Sequence, residues 1–201
     1  MKRWMPLIII VGLIVIIGGW FASVNNKLVH MDEQVMAQWG NVESSYQRRA
    51  DLIPNIVNTA KGYAEFERET LTQVTEARSK ATSVTIDPTN VTPEQMAQFQ
   101  EAQAGVSSAL ARLLAVFERY PDLKANENFK ELINELERTE NRINVERNRF
   151  NETLRPYNTE IRQFPTKFAA GILGFETKTY FEAEAGSEVA PEVEFDFGKD
   201  S

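Results

Sequence analysis

RRADLIPN at residues 48–55 places Arg48, Arg49, Asp51 and Pro54 together in the middle of a stretch that otherwise indicates a helix. Two arginines beside an aspartate could form a reactive site, but a catalytic site also needs a nucleophile or a base, and none accompanies them. We interpret these four residues as a structural motif. A proline inside a helix costs about 3 kcal/mol but is tolerated in a first turn, so the motif favours a corner between two helices.

Metal and cofactor chemistry has few ligands to draw on in this chain. There is no cysteine and one histidine, His30, which excludes thiol chemistry, cysteine metal sites and most zinc sites. Di-iron bundles use Glu-x-x-His pairs, whereas Lys27 stands three residues before His30. Gly-rich phosphate loops and the HExxH and GxSxG motifs do not occur. The sequence predicts no catalytic residue, metal, cofactor or small-molecule substrate.

The elements that would position the 48–55 motif are helices. Apolar positions recur every three or four residues from Leu28, and Asp32 and Arg49 are polar members of the same stripe. The apolar members are Leu28, Val35, Trp39, Val42, Tyr46 and Ile53. We predict that the first helix ends near Ala50 and that Asp51 caps the second. The alternative is one kinked helix, because the stripe continues past Pro54.

Two further helices follow a turn-rich stretch at 82–92. Thr92 and Gln95 predict a capping box with Pro93 in the first turn. The last helix carries a long stripe with Glu140 and Arg147 within it: Phe129, Ile133, Leu136, Ile143, Phe150, Leu154, Tyr157 and Ile161. Segments of similar length predict an all-α fold, an antiparallel up-and-down four-helix bundle.

In that topology Asp32 and Arg147 would lie at similar heights near one end of the bundle. We expect them to pair inside the bundle, where such a pair fixes register more than it adds stability. The alternative is that both side chains reach solvent.

The N-terminus predicts a membrane anchor. No charge occurs between Arg3 and Lys27, and about 20 apolar residues span a bilayer core of roughly 30 Å. Lys2 and Arg3 predict a cytoplasmic N-terminus, and thus an extracytoplasmic domain on an inner-membrane, single-pass anchor. A cleaved signal peptide is the alternative, although an A-x-A-like site is missing. Glycines at 12, 18 and 19 would allow close contact between anchors, so a homo-oligomer is among the expected partners.

The C-terminal region divides into an apolar segment and an acidic tail. FPTKFAAGILGF at 164–175 predicts a membrane or partner contact, or closure of the bundle end; its large apolar residues are Phe164, Phe168, Ile172, Leu173 and Phe175. Residues 182–201 hold seven acidic side chains against Lys199, six of the seven net negative charges, and a disordered tail is predicted for 176–201. The predicted domains are a cytoplasmic N-terminus and anchor at 1–23, a bundle at 24–175, and this tail.

Six stretches of the chain are informative as a set: QRRADLIPNIV at 47–57, NTAKGYAEFERETL at 58–71, VTEARSKA at 74–81, YPDLKANENFKEL at 120–132, TENRINVERNRFNETLRPYN at 139–158 and FPTKFAAGILGF at 164–175. Together they resemble the LemA family of small bacterial membrane proteins. The resemblance implies a four-helix-bundle domain on a membrane anchor, and it implies no defined biochemical activity.

The function expected from these observations is a non-enzymatic interaction or scaffold protein of the bacterial envelope. Its expected partners are the membrane and other envelope proteins of unknown identity; nucleic acid is not expected, because the chain has no basic stripe. Two alternatives belong to other classes. One is a membrane-remodelling oligomer that assembles on the bilayer, and the other is a hydrolase that depends on carboxylates.

Overall fold

A computed structural model describes residues 4–63, 67–89 and 91–182 of the chain. Six helices occupy these residues, and the described residues between the helices form neither helix nor strand. Their bounds are α1 Met5–Lys61, α2 Arg68–Ser83, α3 Pro93–Phe117, α4 Pro121–Ala125, α5 Glu127–Arg162 and α6 Thr166–Leu173. The capping box predicted at the start of α3 is confirmed, because Thr92 Oγ1 accepts from the Gln95 amide and Gln95 Oε1 accepts from the Thr92 amide.

The corner predicted at Asp51 is wrong, because α1 runs unbroken through Pro54. A proline has no amide hydrogen, so the carbonyl four residues earlier loses its helical donor. That carbonyl belongs to Ala50, and Arg78 on α2 replaces the donor with its Nε at 2.6 Å. Asp51 lies inside the helix and accepts a side-chain hydrogen bond from Gln47. The continuous helix, which was the alternative prediction, is what forms.

The predicted all-α bundle is confirmed, with different helix bounds. Helix α1 leads away from the N-terminal apolar span, α2 returns, α3 leads away again, and α5 returns along α1. Since α1 takes the residues assigned to the start of the second helix, α2 begins at Arg68 and has 16 residues. Helix α2 therefore flanks only the part of the bundle far from the span.

Buried apolar side chains form two clusters along the bundle. The distal core lies far from the N-terminal span and is largely aliphatic, with Ile53, Val74, Leu110, Leu113 and Leu136 among its members. The proximal core lies nearer the span and is rich in aromatic rings. Its aromatic members are Trp39, Tyr46, Phe99, Phe150, Tyr157 and Phe181.

The chain beyond α6 returns to the bundle in extended form. Gly174 ends α6 with φ +79°, a left-handed conformation that favours glycine, and the Phe175 amide bonds back to Ala170 O at 3.0 Å. Residues 175–182, here called the docked segment, then run along α5. The docked segment includes the first residues of the tail predicted for 176–201, while residues 183–201, like residues 1–3, lie outside the described ranges.

Candidate functional site

Arg49 is the charged centre of the bundle. Its side chain is 2% exposed, and its guanidinium donates to Ser107 Oγ at 2.8 Å and to Glu140 Oε1 at 2.9 Å. It also donates to the carbonyl and side-chain oxygens of Gln103 and lies over the ring of Tyr46 at 5.2 Å. Because these partners come from α1, α3 and α5, Arg49 ties three helices together. A buried charge with this many partners is satisfied within the fold.

The other members of the 48–55 motif are Arg48 and Asp51, whose side chains lie on the exposed side of α1, and Pro54, which lies inside the helix. Arg48 is exposed and donates through Nε to Glu135 on α5 at 2.8 Å. Hydrogen bonds from Arg48 and Arg138 hold the pKa of the Glu135 carboxyl below its usual value. Arg48 thus connects α1 to α5, and the Ala50 carbonyl that Pro54 leaves unpaired connects α1 to Arg78 on α2.

The predicted pair of Asp32 and Arg147 does not form. The contacts of Lys27 with Glu160 and of Gln38 with Glu146 set the antiparallel register of α1 and α5. That register places Asp32 beside Tyr157, almost three helical turns along α5 from Arg147.

Each of the two residues instead meets the docked segment. The Lys178 ammonium lies 2.8 Å from Asp32 Oδ1, an ion pair whose approach is too oblique for a hydrogen bond. Burial and the nearby Asp32 charge raise the pKa of the Tyr157 hydroxyl. Arg147 donates to the Glu182 carbonyl at 2.8 Å and lies over the Phe181 ring.

Two asparagines on α5 fasten the docked segment. Asn158 donates to the Lys178 carbonyl at 2.8 Å and accepts from the Lys178 amide at 2.9 Å, and Asn151 makes the same two bonds with Phe181. Seven residues of helix rise about 10.5 Å, and three extended residues span about 10 Å, so both amide pairs can form together. Each asparagine side chain bonds both the N–H and the C=O of one residue, as a neighbouring β-strand would. The backbone polar groups of Lys178 and Phe181 are satisfied in this way, although the backbone of α5 has no free groups to offer them.

Phe181 anchors the docked segment in the proximal core. Its side chain is 4% exposed, and its ring stacks on Trp39 with a 5.7 Å centroid separation and a 10° interplanar angle. The rings of Phe99 and Phe150 lie 6.5 Å and 5.4 Å away. The core of the proximal half is therefore completed by a residue outside every helix.

The 164–175 segment splits into two faces when it folds as α6. Thr166, Ala169 and Ala170 are buried against α1 and α5, so the small side chains of α6 form the face that packs on the bundle. The large side chains point elsewhere: Phe164, Phe168 and Ile172 are 82%, 67% and 75% exposed. Leu173 and Phe175 are partly buried against the proximal core.

A small cavity beside Arg49 offers little room for a substrate. It has a volume of about 130 Å³ and lies between α1, α2 and α3, with Trp39, Tyr46, Phe99 and Arg78 in its walls. That volume is below the range of about 300–1,000 Å³ that is usual for small-molecule sites. A more open groove also borders Arg49, is lined by Ser107, Glu140 and Arg147, and measures about 500 Å³. Among residues 4–63, 67–89 and 91–182, no three His, Asp or Glu side chains converge as metal ligands would.

Comparison with known proteins identifies the family. The LemA family model matches residues 38–195, more than three quarters of the chain. This protein belongs to the LemA family. That membership confirms the resemblance carried by the sequence motifs, and it brings no catalytic family with it.

Named relatives agree with this assignment. The magnetosome protein MamQ 2 of Paramagnetospirillum magneticum is 27% identical over 180 residues, covering 81% of this chain and 66% of the relative. The magnetosome protein MamQ of Magnetospirillum gryphiswaldense is 27% identical over 188 residues, covering 84% and 69%. The protein LemA of Metamycoplasma hominis is 25% identical over 158 residues, covering 79% and 68%. The match thus spans just under two thirds of MamQ 2.

Sequence reasoning missed the pairing of Arg49 with Glu140 and the whole docked segment. Arg49 and Glu140 are charged members of the apolar stripes of two helices. Antiparallel packing of those two stripes is the signal that could have predicted their contact. Lys178, Asn151 and Asn158 carried a weaker signal, the seven-residue spacing of two asparagines on one face of α5.

Proposed function

We propose that this LemA-family protein is a non-enzymatic scaffold of the bacterial cell envelope. It holds a rigid helical domain at a fixed distance from the inner membrane and presents its sides to other envelope proteins. The coarser description, a membrane-associated protein without a catalytic family, agrees with its relatives.

The continuity of α1 carries this proposal. By length and composition α1 is, among the described residues, the one helix that could cross a membrane, and the apolar stretch from Leu7 to Ile17 is exposed along its length. The same helix is buried in the proximal core from Val24 and in the distal core from Ile53. Because no flexible linker separates span from bundle, the anchor sets the height and orientation of the domain.

The orientation of the domain follows from charge. Lys2 and Arg3 precede the apolar span, and positive residues favour the cytoplasmic side. The bundle and the docked segment then lie outside the cytoplasm.

Single cysteines test this arrangement without background, because the natural chain has none. Gly105→Cys on α3 and Gly12→Cys in the span both place the new side chain in open space. We expect a membrane-impermeant maleimide to label Gly105→Cys in cells whose outer barrier is opened, and to leave Gly12→Cys unlabelled. Labelling of Gly105→Cys only after the inner membrane is permeabilised would place the domain in the cytoplasm and refute the proposed location.

The scaffold role needs a direct test of its own. A photoreactive residue at Val145, an apolar side chain 45% exposed on α5, would record what lies against the bundle in intact cells. We expect a discrete crosslinked band that is absent when the residue is placed at the buried Leu113. If photoreactive residues on every exposed side of the bundle gave no crosslinked product, the bundle would have no protein partner and the scaffold role would be refuted.

Membrane remodelling is the second candidate, and the exposed apolar face of α6 favours it. An oligomer that pressed such a face into one leaflet would bend the bilayer. Purified full-length protein reconstituted into vesicles should then produce tubules visible by electron microscopy, and spherical vesicles at high protein density would exclude this role.

A further inference from the structure

Helix α6 has apolar side chains on both of its faces. Thr166, Ala169 and Ala170 form a face of small residues that packs on the bundle, and Phe168 and Ile172 lie on the opposite face. Phe164 continues that outer face, with its ring 6.0 Å from the ring of Phe168. Lys167 is the one charged side chain of the helix. A helix that is apolar all round is normally covered on all sides.

The position of α6 indicates what covers it. The helix packs on α1, and its Leu173 and Ala170 share the proximal core with Trp20 and Phe21. Trp20 follows the exposed span by one helical turn, where interfacial aromatics are expected. With Trp20 at the interface of the proposed anchor, the outer face of α6 would lie at the height where the acyl chains of the bilayer meet its headgroups.

The chemistry of this face fits lipid better than a second protein surface. Interfacial helices bury large apolar side chains about 5–10 Å below the headgroups and keep cationic side chains among them. Lys167 and Arg162 are both exposed beside the apolar side chains and could contact anionic headgroups. Helix α6 also shares the proximal core with Trp20 and Phe21, close to where the exposed apolar surface of α1 ends, so one lipid phase would cover both surfaces.

We propose that Phe164, Phe168 and Ile172 insert into the interface of the bilayer that α1 crosses, so that α6 is a second membrane contact of the domain. This inference rests on the anchored arrangement proposed above. It adds a second point of attachment, which would fix the rotation of the bundle about the α1 axis.

Three glycines provide matched probe positions for the test. A side chain added at Gly171, Gly12 or Gly105 meets no other atom within 4 Å. Gly171 lies on the exposed part of α6 and its replacement keeps all three large apolar residues. Gly12 lies within the span. Gly105 lies between two Arg49 partners, Gln103 and Ser107, about 40 Å along the bundle from Trp20.

Each Gly→Cys variant of the full chain would be labelled with an environment-sensitive fluorophore. It would then be reconstituted into phosphatidylethanolamine–phosphatidylglycerol vesicles that carry nitroxide lipids. We expect several-fold greater quenching at Gly171→Cys than at Gly105→Cys, strongest with a nitroxide near the headgroup, and quenching at Gly12→Cys strongest with a deeper nitroxide. Adding Phe168→Ser and Ile172→Ser to Gly171→Cys should reduce its quenching to the Gly105→Cys level, because both replaced side chains are exposed and the fold does not depend on them.

The outcomes separate this inference from the anchoring itself. Equal quenching at Gly171→Cys and Gly105→Cys, with Gly12→Cys quenched, would overturn the α6 contact and leave the anchor intact. An absence of quenching at Gly12→Cys would overturn the anchor and the α6 contact with it. Excimer formation by a pyrene label at Gly171→Cys without quenching would show that a second copy covers this face, and would also overturn the proposal.

Discussion

The distal and proximal cores use the same two long helices, α1 and α5, but they are closed by different means. In the distal half α2 and α3 complete a four-helix arrangement with an aliphatic centre. In the proximal half α2 has already ended at Ser83, and the docked segment and α6 occupy the remaining side. The helix packing of the distal half follows from apolar residues that recur every three or four positions in the sequence. The proximal half also depends on single contacts of the docked segment, such as Phe181 with Trp39, which no repeat in the sequence predicts.

If the docked segment completes the proximal core, the largest loss of stability should come from Phe181→Ala. Removing a buried phenylalanine side chain typically costs about 3–5 kcal/mol through lost burial and the cavity left behind. The free energy of unfolding measured by denaturant titration in detergent should fall by that amount. Tyr180→Ala is the matched control, since its side chain is 39% exposed, and equal losses for both variants would show that the segment is not docked.

A smaller effect is expected at Arg49, which lies where the two cores meet. Arg49→Met leaves Glu140 without its partner, and because Glu140 remains one-third exposed we expect a loss of about 2 kcal/mol in unfolding free energy. Adding Glu140→Met should recover part of the loss. Arg48→Met, which removes an exposed ion pair, should lower the free energy of unfolding much less than Arg49→Met does, because solvent screens the pair. Equal losses of unfolding free energy in Arg49→Met and Arg48→Met would show that the buried contacts of Arg49 do not stabilise the boundary between the two cores.

The asparagine contacts allow the docked segment to be weakened without touching the aromatic core. Asn158→Leu removes both hydrogen bonds to Lys178, and we expect a loss of about 1–2 kcal/mol and faster proteolysis within residues 175–182. Asn148→Leu on an exposed face of α5 is the control. Unchanged proteolysis in Asn158→Leu would mean that Phe181 alone holds the segment.

The smallest effect concerns pH at the proximal end. A hydrogen bond from Lys27 holds the pKa of the Glu160 carboxyl below its usual value of 4.5. A depressed carboxyl pKa stabilises the fold above the unfolded value, so this contribution is complete above pH 4.5 and is lost as pH falls through the folded value. Because Lys27 is 56% exposed, the effect should not exceed about 0.5 kcal/mol. Lys27→Gln should flatten the acid limb of the stability profile; an identical limb in both proteins would exclude this pair as its cause.

The sequence predicted the helical stripes well, and the reason is their period. Leu28, Trp39, Ile53, Phe129 and Leu154 are all buried as expected, because each helix face must meet the core every three or four residues. The same period continued across Pro54, and the carbonyl that the proline leaves unpaired is satisfied by a side chain from another helix, which no local pattern specifies.

The docked segment could not be predicted for a related reason. Phe181 meets Trp39 across 142 positions of the chain, and Asn151 and Asn158 bind backbone atoms, which every residue possesses. Composition indicated an acidic tail from residue 176, and composition does not reveal that one phenylalanine and one lysine near its start have complementary sites on the bundle. Lys178 also takes the aspartate that the sequence had assigned to Arg147.

Because α1 is one continuous helix, its membrane-spanning part and the bundle tilt together as one rigid body. From Trp20 to Lys61 the helix extends roughly 60 Å, so a change of about 10° in the tilt of its spanning part would sweep the far tip sideways by roughly 10 Å. Tilt responds to the thickness of the surrounding lipid. A change in local bilayer thickness would therefore move the far tip of the bundle, and any partner bound there, sideways along the membrane.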